Sequence, residues 1–538
     1  MTAEARVREA TEADVVGIRA ILEATYPGDY PYREFFEESW LKRAIFNDSI
    51  LTLVAEDTET GGLLGTASVV FDVSAHSDLT GELGRLAVPP SCRGRGIGQL
   101  LMRRRIEFAR PRLHAAVAEN RTVHPFSQMI GERHGLACVG FLPNKFQFAE
   151  RESVAHFALC FPDGLALRRN HPRIVPEAQA LAHIALNRCG LEDDCIVDEE
   201  APSYAPRSGL VAEALTEGGT SALLRIERGR VRRREIFGPI RLQYGFFMLA
   251  AKQASYVIAR EGVGGAVAGA IGFVHHSEDG TIKVFELIAG SDGVVRFLWD
   301  ELVDRARDWD VKYIEADVSA HAPSMQRTLL ELGFLPASYV PAAVFAEVER
   351  LDVIKMVRLF CAPPELEHIA LTDHSRAVAD IVLRGFQQRA VLPQVEAAVG
   401  HLPLFDGLTQ EQRHRLAGSF TVLEAAAGST LYAAGAPPLR LFVLLQGRVA
   451  VKIGDRAVGE VRAGDCLGEL SLLTGEPHSA TAQVVDDLCA AVLTADDLAT
   501  LTRSRPDIGV LLYRNLARDV GRKLQRVDAA LAELDRTP

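Results

Sequence analysis

The chain has 538 residues, a net charge of −12, 48% hydrophobic and 24% charged residues. That length exceeds what one core organises, so several domains are expected, and the composition excludes wholesale disorder. The acidic balance disfavours generic attraction to nucleic acid, and the eight cysteines lack CxxC pairs or histidine companions at ligand spacing, which argues against a metal site or disulfide framework. No apolar run reaches membrane-spanning length, and MTAEARVREATEADV lacks the basic and then apolar regions of a signal peptide. A cytoplasmic protein with no membrane span and no nucleic-acid partner is the expectation. Arginine outnumbers lysine and alanine is abundant, which suits a GC-rich bacterial genome.

In chain order, VREAT reads as a short strand, followed by a helix from Glu12 with Val15, Ile18, Ile21 and Leu22 on one face. A loop with Tyr26, Tyr30 and Tyr32 leads to an amphipathic helix around FFEESWLKRAIF. Strands ILTLVAED, GLLGTASVVFDV and GELGRLAV precede the turn PPSCRGRGIG and the helix GQLLMRRRIEFAR. Strand LHAAVAEN, helix PFSQMIGERH and strands ACVGFLPNKF and SVAHFALCF close an α/β domain over 1–162. Residues 163–204 read as a connector with one helix between proline-marked turns.

From 205 to 360 the pattern restarts. A helix around FFMLAAKQASYVIAR precedes strands GAVAGAIGFVHH and TIKVFELIAG, helix VVRFLWDELVDRARDW and strand VKYIEADV. HAPSMQRTLLELGFLPASYVPA then echoes HPFSQMIGERHGLACVGFLP, which implies a diverged internal duplication; two unrelated α/β units sharing a rhythm is the alternative. Residues 361–402 read as a helical linker. From 403 to 538, short β-rich runs punctuated by glycine and a final amphipathic helix give an all-β roll with flanking helices, with no helix-turn-helix module after it.

Arg93, Gly94, Arg95, Gly96, Ile97 and Gly98 lie between a strand and a helix. Glycines let backbone N–H groups turn inward, a helix N-terminus adds positive potential, and the arginines add charge, so the turn suits a pyrophosphate. This Arg-x-x-Gly-x-Gly spacing, with the strand ending Leu86-Ala87-Val88 before it, resembles the acetyl-CoA motif of the GNAT acyltransferase superfamily over residues 1–160. The resemblance implies that acetyl-CoA is the co-substrate, held at its pyrophosphate by Arg93 to Gly98. Leu86, Ala87, Val88 and Asn120 would line its arm and steady the thioester carbonyl. Glu82 becomes the candidate base for an amine acceptor, against the alternative of a solvated edge-strand glutamate. The tyrosine that many family members place before the closing glycine is absent here. Ser127 is the catalytic candidate in its place, and His134 reads as a helix-end cap.

The second α/β unit lacks the cradle, and Asp292 stands where a pyrophosphate would go, so this copy reads as degenerate and Glu286 as structural. The run RIERGRVRRRE (Arg225, Arg228, Arg230, Arg232, Arg233, Arg234) reads as a solvated face or, alternatively, a contact for an acidic partner.

HLPLFDGLTQEQRHRLA, LFVLLQGRVAV and LGELSLLTGEPHSATA together resemble a cyclic-nucleotide-binding domain over 403–535. The resemblance implies nucleotide contacts from Gly468, Glu469, Leu470 and Ser479, with Glu469 on the ribose. His478 stands where the family has an arginine for the phosphate, so binding of cyclic AMP or cyclic GMP is expected to be weakened or retuned. Three readings remain at this point: an acetyl-CoA-dependent N-acetyltransferase under a regulatory domain, with protein lysine as acceptor; an acyltransferase of small amines or amino acids with the C-terminal domain as scaffold; or a non-catalytic acyl-CoA and nucleotide sensor. A homodimer is compatible with all three.

Overall fold

The computed structural model describes residues 5–26, 30, 33–71, 78–215, 222–226, 234–238, 254–399 and 403–534. Contacts divide the chain into two compact units, Met1–Leu383 and Arg384–Pro538. No helix among the described residues is long and apolar enough to cross a membrane.

The first unit is built on one 15-stranded sheet. Its first half runs β1 (Ala5–Glu9), α1 (Val15–Thr25), α2 (Glu38–Ile45), β2 (Ile50–Asp57), β3 (Leu63–Val70), β4 (Thr80–Glu82), α3 (Ile97–Ala109), β5 (Ala115–Arg121), α4 (Phe126–Arg133), β6 (Ala137–Gln147) and β7 (Arg151–Cys160). Helix α1 buries Val15, Ile18, Ile21 and Leu22, as its spacing requires. A connector of α5 (Pro162–Leu165), β8 (Arg173–Ile174), α6 (Pro176–Arg188) and β9 (Ile196–Val197) follows. The second half is β10 (Leu210–Ala214), β11 (Ile236–Phe237), β12 (Ala254–Glu261), β13 (Val267–His276), β14 (Thr281–Ala289), α7 (Asp292–Asp308), β15 (Tyr313–Ser319), α8 (Pro323–Glu331), β16 (Leu335–Ala346) and β17 (Glu349–Leu359).

The strand order of the sheet is mirrored about its middle. The path β1-β2-β3-β4-β5-β7-β6 is continued by β16-β17-β15-β14-β13-β12-β10, the same order reversed. Each half has one parallel pair, β4 with β5 and β14 with β15. The halves meet edge to edge at β6 and β16, where Ser338 opposes Gly140. That approach requires glycine, because a Cβ on Gly140 would lie 2.2 Å from the Ser338 Cβ. Ser338 Oγ donates to the Val139 carbonyl at 3.2 Å and contacts His156 Nδ1 at 2.7 Å. Helix α6 crosses this seam, burying Leu181, Ala182, Ala185 and Leu186 where it meets β6 and β16. The fully buried Arg350 of β17 donates to the Asp78 carbonyl at 2.6 Å and to Thr80 Oγ1 at 3.0 Å, tying the second half to the strand that carries Glu82.

Two element assignments change. The sequence predicts a helix over FFMLAAKQASYVIAR, but Ala254–Glu261 is strand β12, paired on both sides by β10 and β13; the rest of that stretch lies outside the described residues. Its β-branched and aromatic residues follow the pleat once two partners bind it. GELGRLAV is regular only to Glu82, because Arg85 adopts φ +53° and breaks the pleat. Tyr32 and most of the arginine run, Arg228 to Arg233, also lie outside the described residues.

The second unit packs two four-stranded sheets, β18-β25-β20-β23 and β19-β24-β21-β22. Their ranges are β18 (Thr421–Ala425), β19 (Thr430–Tyr432), β20 (Arg440–Gln446), β21 (Arg448–Ile453), β22 (Arg456–Arg462), β23 (Cys466–Leu467), β24 (Thr481–Val484) and β25 (Leu488–Thr494). Phe442, Val449, Ala482 and Val492 fill the roll, while Phe405, Leu416, Ile508 and Leu512 pack flanking helices on its outside.

Gly140→Val is expected to lower the stability of the first unit by about 1–3 kcal/mol or more, through overpacking at the seam. Denaturant unfolding followed by fluorescence checks this; an unchanged midpoint would show that the two halves are not held at that contact.

Candidate functional sites

β4 and β5 run side by side only through Glu82 and Val117, then part. Past that point the chain turns toward β3: Ala87 exchanges both backbone hydrogen bonds with Thr66 at 2.9 Å. By strand alternation the N–H and C=O of Leu86 then point to the other side, into the wedge between β4 and β5. Buried Arg105 of α3 fixes this break by donating to the Gly84 carbonyl at 2.9 Å. The wedge opens into a cavity of about 1200 Å³ that starts at Arg93, Gly94 and Gly96 and reaches past Glu82. Gly94 and Gly96 have φ of +77° and +78°, and neither has any atom within 4 Å of where a Cβ would stand. With the open N-terminus of α3 directly behind, this turn has the room and polarity for a pyrophosphate.

Glu82 stands on the cavity wall, with no hydrogen bond or ion pair to its carboxylate among the described residues. Burial pushes its pKa up and Glu119 adds to this, while Arg85, Lys145 and Lys283 oppose. Arg85 is itself half-buried, with its guanidinium 5.0 Å from the Phe35 ring and 5.1 Å from that of Trp40. Tyr26, Tyr30 and Phe148 add an aromatic wall.

In the second unit, Gly468 in the left-handed region (φ +84°) opens a short helix Glu469–Thr474. Glu469 is buried and accepts from Lys523 Nζ at 2.8 Å; Lys523, on the C-terminal helix, also donates to the Cys466 carbonyl at 2.7 Å. His478 is buried, stacked on Tyr432 with ring centroids 3.8 Å apart, and burial lowers its pKa, leaving the imidazole neutral.

The family model for the acetyltransferase (GNAT) family matches residues 15–129, and that for the cyclic nucleotide-binding domain matches residues 422–505. The chain carries a GNAT acetyltransferase domain and a cyclic nucleotide-binding domain. Neither match extends into the second half of the large sheet. The C-terminal part is 29% identical over 138 residues to a CRP-like cAMP-activated global transcriptional regulator of Mycobacterium tuberculosis, covering 24% of this chain and 59% of that protein. It is 29% identical over 117 residues to a cAMP-dependent protein kinase regulatory subunit of Mycosarcoma maydis, covering 20% of this chain and 22% of that one. Among solved structures, a cyclic nucleotide-binding domain from Methylobacillus flagellatus is 24% identical, covers 27% of this chain and 84% of that chain, and has a TM-score of 0.25. The chain thus spans less than two thirds of the length of these two curated relatives.

Within the GNAT domain, Glu82, Leu86, Val88, Arg93, Gly94, Gly96, Ile97, Gly98, Asn120 and Ser127 all border the cavity. Ala87 does not, its backbone being spent on Thr66, and Arg95 turns toward Asp57 at 3.6 Å. Asn120 is 8% exposed and its Nδ2 has no hydrogen-bond partner among the described residues. His134 caps α4 and lies off the cavity lining. His124 was missed by sequence reasoning: it borders the cavity, its buried Nδ1 has no hydrogen-bond partner among the described residues, and its pKa is lowered by burial. In the nucleotide-binding domain Glu469 and His478 are buried, whereas Leu470 and Ser479 are exposed.

The second half carries its own reason for lacking a cradle. Only Gly290 and Ser291 separate β14 from α7, leaving no room for a phosphate turn, and Asp292 opens that helix. Where β15 runs beyond its pairing with β14, strand β11 lies against it, Phe237 opposite Asp317 and Ile236 opposite Val318. Gly238 then packs so closely that a Cβ would meet that of Phe285 at 2.3 Å. The wedge of this half is filled by its own chain. Glu286 is buried and accepts from the Tyr256 hydroxyl, the arrangement of a structural residue.

Gly96→Asp is expected to abolish acetyl-CoA binding measured by titration calorimetry, because it puts a carboxylate and a strained left-handed residue in the cradle. Retained affinity would place the pyrophosphate elsewhere.

Proposed function

We propose that the protein is an acetyl-CoA-dependent N-acetyltransferase of a small primary amine, with a C-terminal domain whose response to cyclic nucleotides is weakened. Acetyl-CoA, when bound, supplies an activated acetyl thioester; the cradle and the Leu86 backbone are the groups placed to hold it. The supporting observation is Glu82: an unpaired carboxylate on the wall of the cavity that begins at the cradle, with a pKa raised toward the working range of a general base. Glu82 takes a proton from the acceptor ammonium, freeing the nitrogen pair. The C–N bond forms as the C–S bond breaks; the amide nitrogen loses its second proton and the sulfur leaves as the CoA thiol. The aromatic wall and the opposing strands of the second half favour a small acceptor over a lysine presented on a protein surface.

Removing the base should cost about 10²–10⁴ in kcat. Glu82→Gln is therefore expected to lose that much thiol release while binding acetyl-CoA as the parent does. Because the carboxyl must be ionised to act and its pKa is raised, the rate should fall as pH drops through a midpoint above the ordinary glutamate range. A pH profile flat through that region, or a Glu82→Gln protein of undiminished rate, would remove Glu82 from the chemistry.

For the C-terminal domain, a neutral stacked imidazole offers a phosphate far less than a guanidinium fork. Restoring the charge should recover about 1.5–3 kcal/mol, roughly tenfold to a few hundredfold in affinity. Calorimetric titration with cyclic AMP and cyclic GMP should therefore show weak binding by the parent and tighter binding by His478→Arg. Equal affinities would shift the block to Lys523, which already occupies Glu469.

A further inference from the structure

The cavity continues beyond Glu82 to a wall made by the second half: Thr281, Ile282 and Lys283 of β14, Tyr313 and Glu315 of β15, and His276 at the end of β13. The two halves are also joined at their turns, Gln147 N–H donating to Asp279 Oδ1 at 3.3 Å and Arg151 Nη1 to the Asp279 carbonyl at 2.7 Å.

This wall is charged. Glu315, 3% exposed, faces Lys145 at 3.1 Å, Lys355 at 3.6 Å and Lys283 at 3.8 Å. Two of these lysines have a closer carboxylate of their own: Lys145 has Glu119 at 2.6 Å, and Lys355 has Asp317 at 2.6 Å. Lys283 has none. Its long contact with Glu315 is its one ion pair among the described residues, and its side chain is 36% exposed, against 11% for Lys145 and 7% for Lys355. It borders the cavity with donors to spare.

Charge balance then selects a ligand. At the far end of the cavity Glu119, Glu315 and Asp317 balance Lys145, Lys283 and Lys355, while Glu82 lies between Arg85 and buried Arg105, so a ligand carrying only a cation or a multiply charged anion would unbalance that largely buried end. A zwitterion would not. A singly charged carboxylate also suits one ammonium beside Glu315 better than a phosphate dianion, which Glu315 would repel. The aromatic wall of Tyr26, Tyr30 and Phe148 suits a hydrocarbon or aromatic middle.

We propose that the second half of the sheet supplies the acceptor's carboxylate subsite: the substrate is a small amino acid, its carboxylate held by Lys283 and its amine presented to Glu82. This rests on the acetyl-transfer reading above and adds the acceptor's chemical class.

The test uses the full chain with acetyl-CoA, the acceptors leucine, phenylalanine and 6-aminohexanoate, their amides, and a lysine-containing peptide, read by free-thiol release and by calorimetric binding of each acceptor. The best amino acid is expected to exceed its amide at least tenfold in kcat/KM. Lys283→Ala should erase that advantage by raising KM for the acid with little change in kcat, leaving the amide's rate and acetyl-CoA affinity unaltered. Lys283→Arg should restore it. Equal treatment of acids and amides by the parent, turnover confined to the peptide, or a Lys283→Ala variant that slows acid and amide alike would overturn the subsite. Lys283-dependent binding of the acids without thiol release from any acceptor would keep the subsite and discard acetyl transfer.

Discussion

Glu315 is the constraint on which the first unit turns. An almost fully buried carboxylate is tolerable only with compensating charge, and here the compensation comes from both halves of the sheet: Lys145 from β6, Lys283 and Lys355 from β14 and β17. Removing either half would strand charges that the other has paired. The cluster holds Glu315 well below its usual carboxylate range through Lys145 and Lys355, against the burial that would raise it. The same ion pairs therefore join the halves and keep the far end of the cavity ionic. An apolar seam of similar size would join them equally well but would leave nothing there to read a polar acceptor.

The reversed strand order is that of two like units meeting at one edge, with β6 against β16 in the place a two-fold axis would occupy. A symmetric dimer must keep both sites alike, because each surface serves twice. Two halves of one chain are free of that requirement. The second half has no room for a phosphate turn, has its wedge filled by β11 and holds Glu286 under Tyr256, while Lys283, on the same strand β14, faces the neighbouring cavity. Those features are independent of one another at the level of residues, yet each sets the second half apart from the cavity-bearing first half.

How far this was legible in the sequence follows from how local each feature is. The glycine turn at Arg93 to Gly98 is legible because its residues are consecutive, and the glycine-punctuated roll announces itself through turn chemistry repeated at short range. Strand β12 was read as a helix because its pairing partners lie outside its own window. The break at Arg85, the filling of a wedge by β11 and the gathering of Glu119, Lys145 and Glu315 depend on contacts far apart in the chain, and no spacing rule reports those. His124 had a faint signal, a polar residue just ahead of the α4 helix, but nothing in the string distinguished it from Ser127 or His134.

The C-terminal domain illustrates the same divergence at a single position. An arginine there would have to be desolvated and would need a phosphate to compensate it; a neutral histidine needs no such partner and stacks on Tyr432. Lys523 gives the buried Glu469 an internal cation. A nucleotide contacting Glu469 or His478 would have to compete with these interactions, which the domain already makes. Lys523 thereby ties the C-terminal helix to both Glu469 and the Cys466 carbonyl, so the short helix Glu469–Thr474 and the C-terminal helix share one cation.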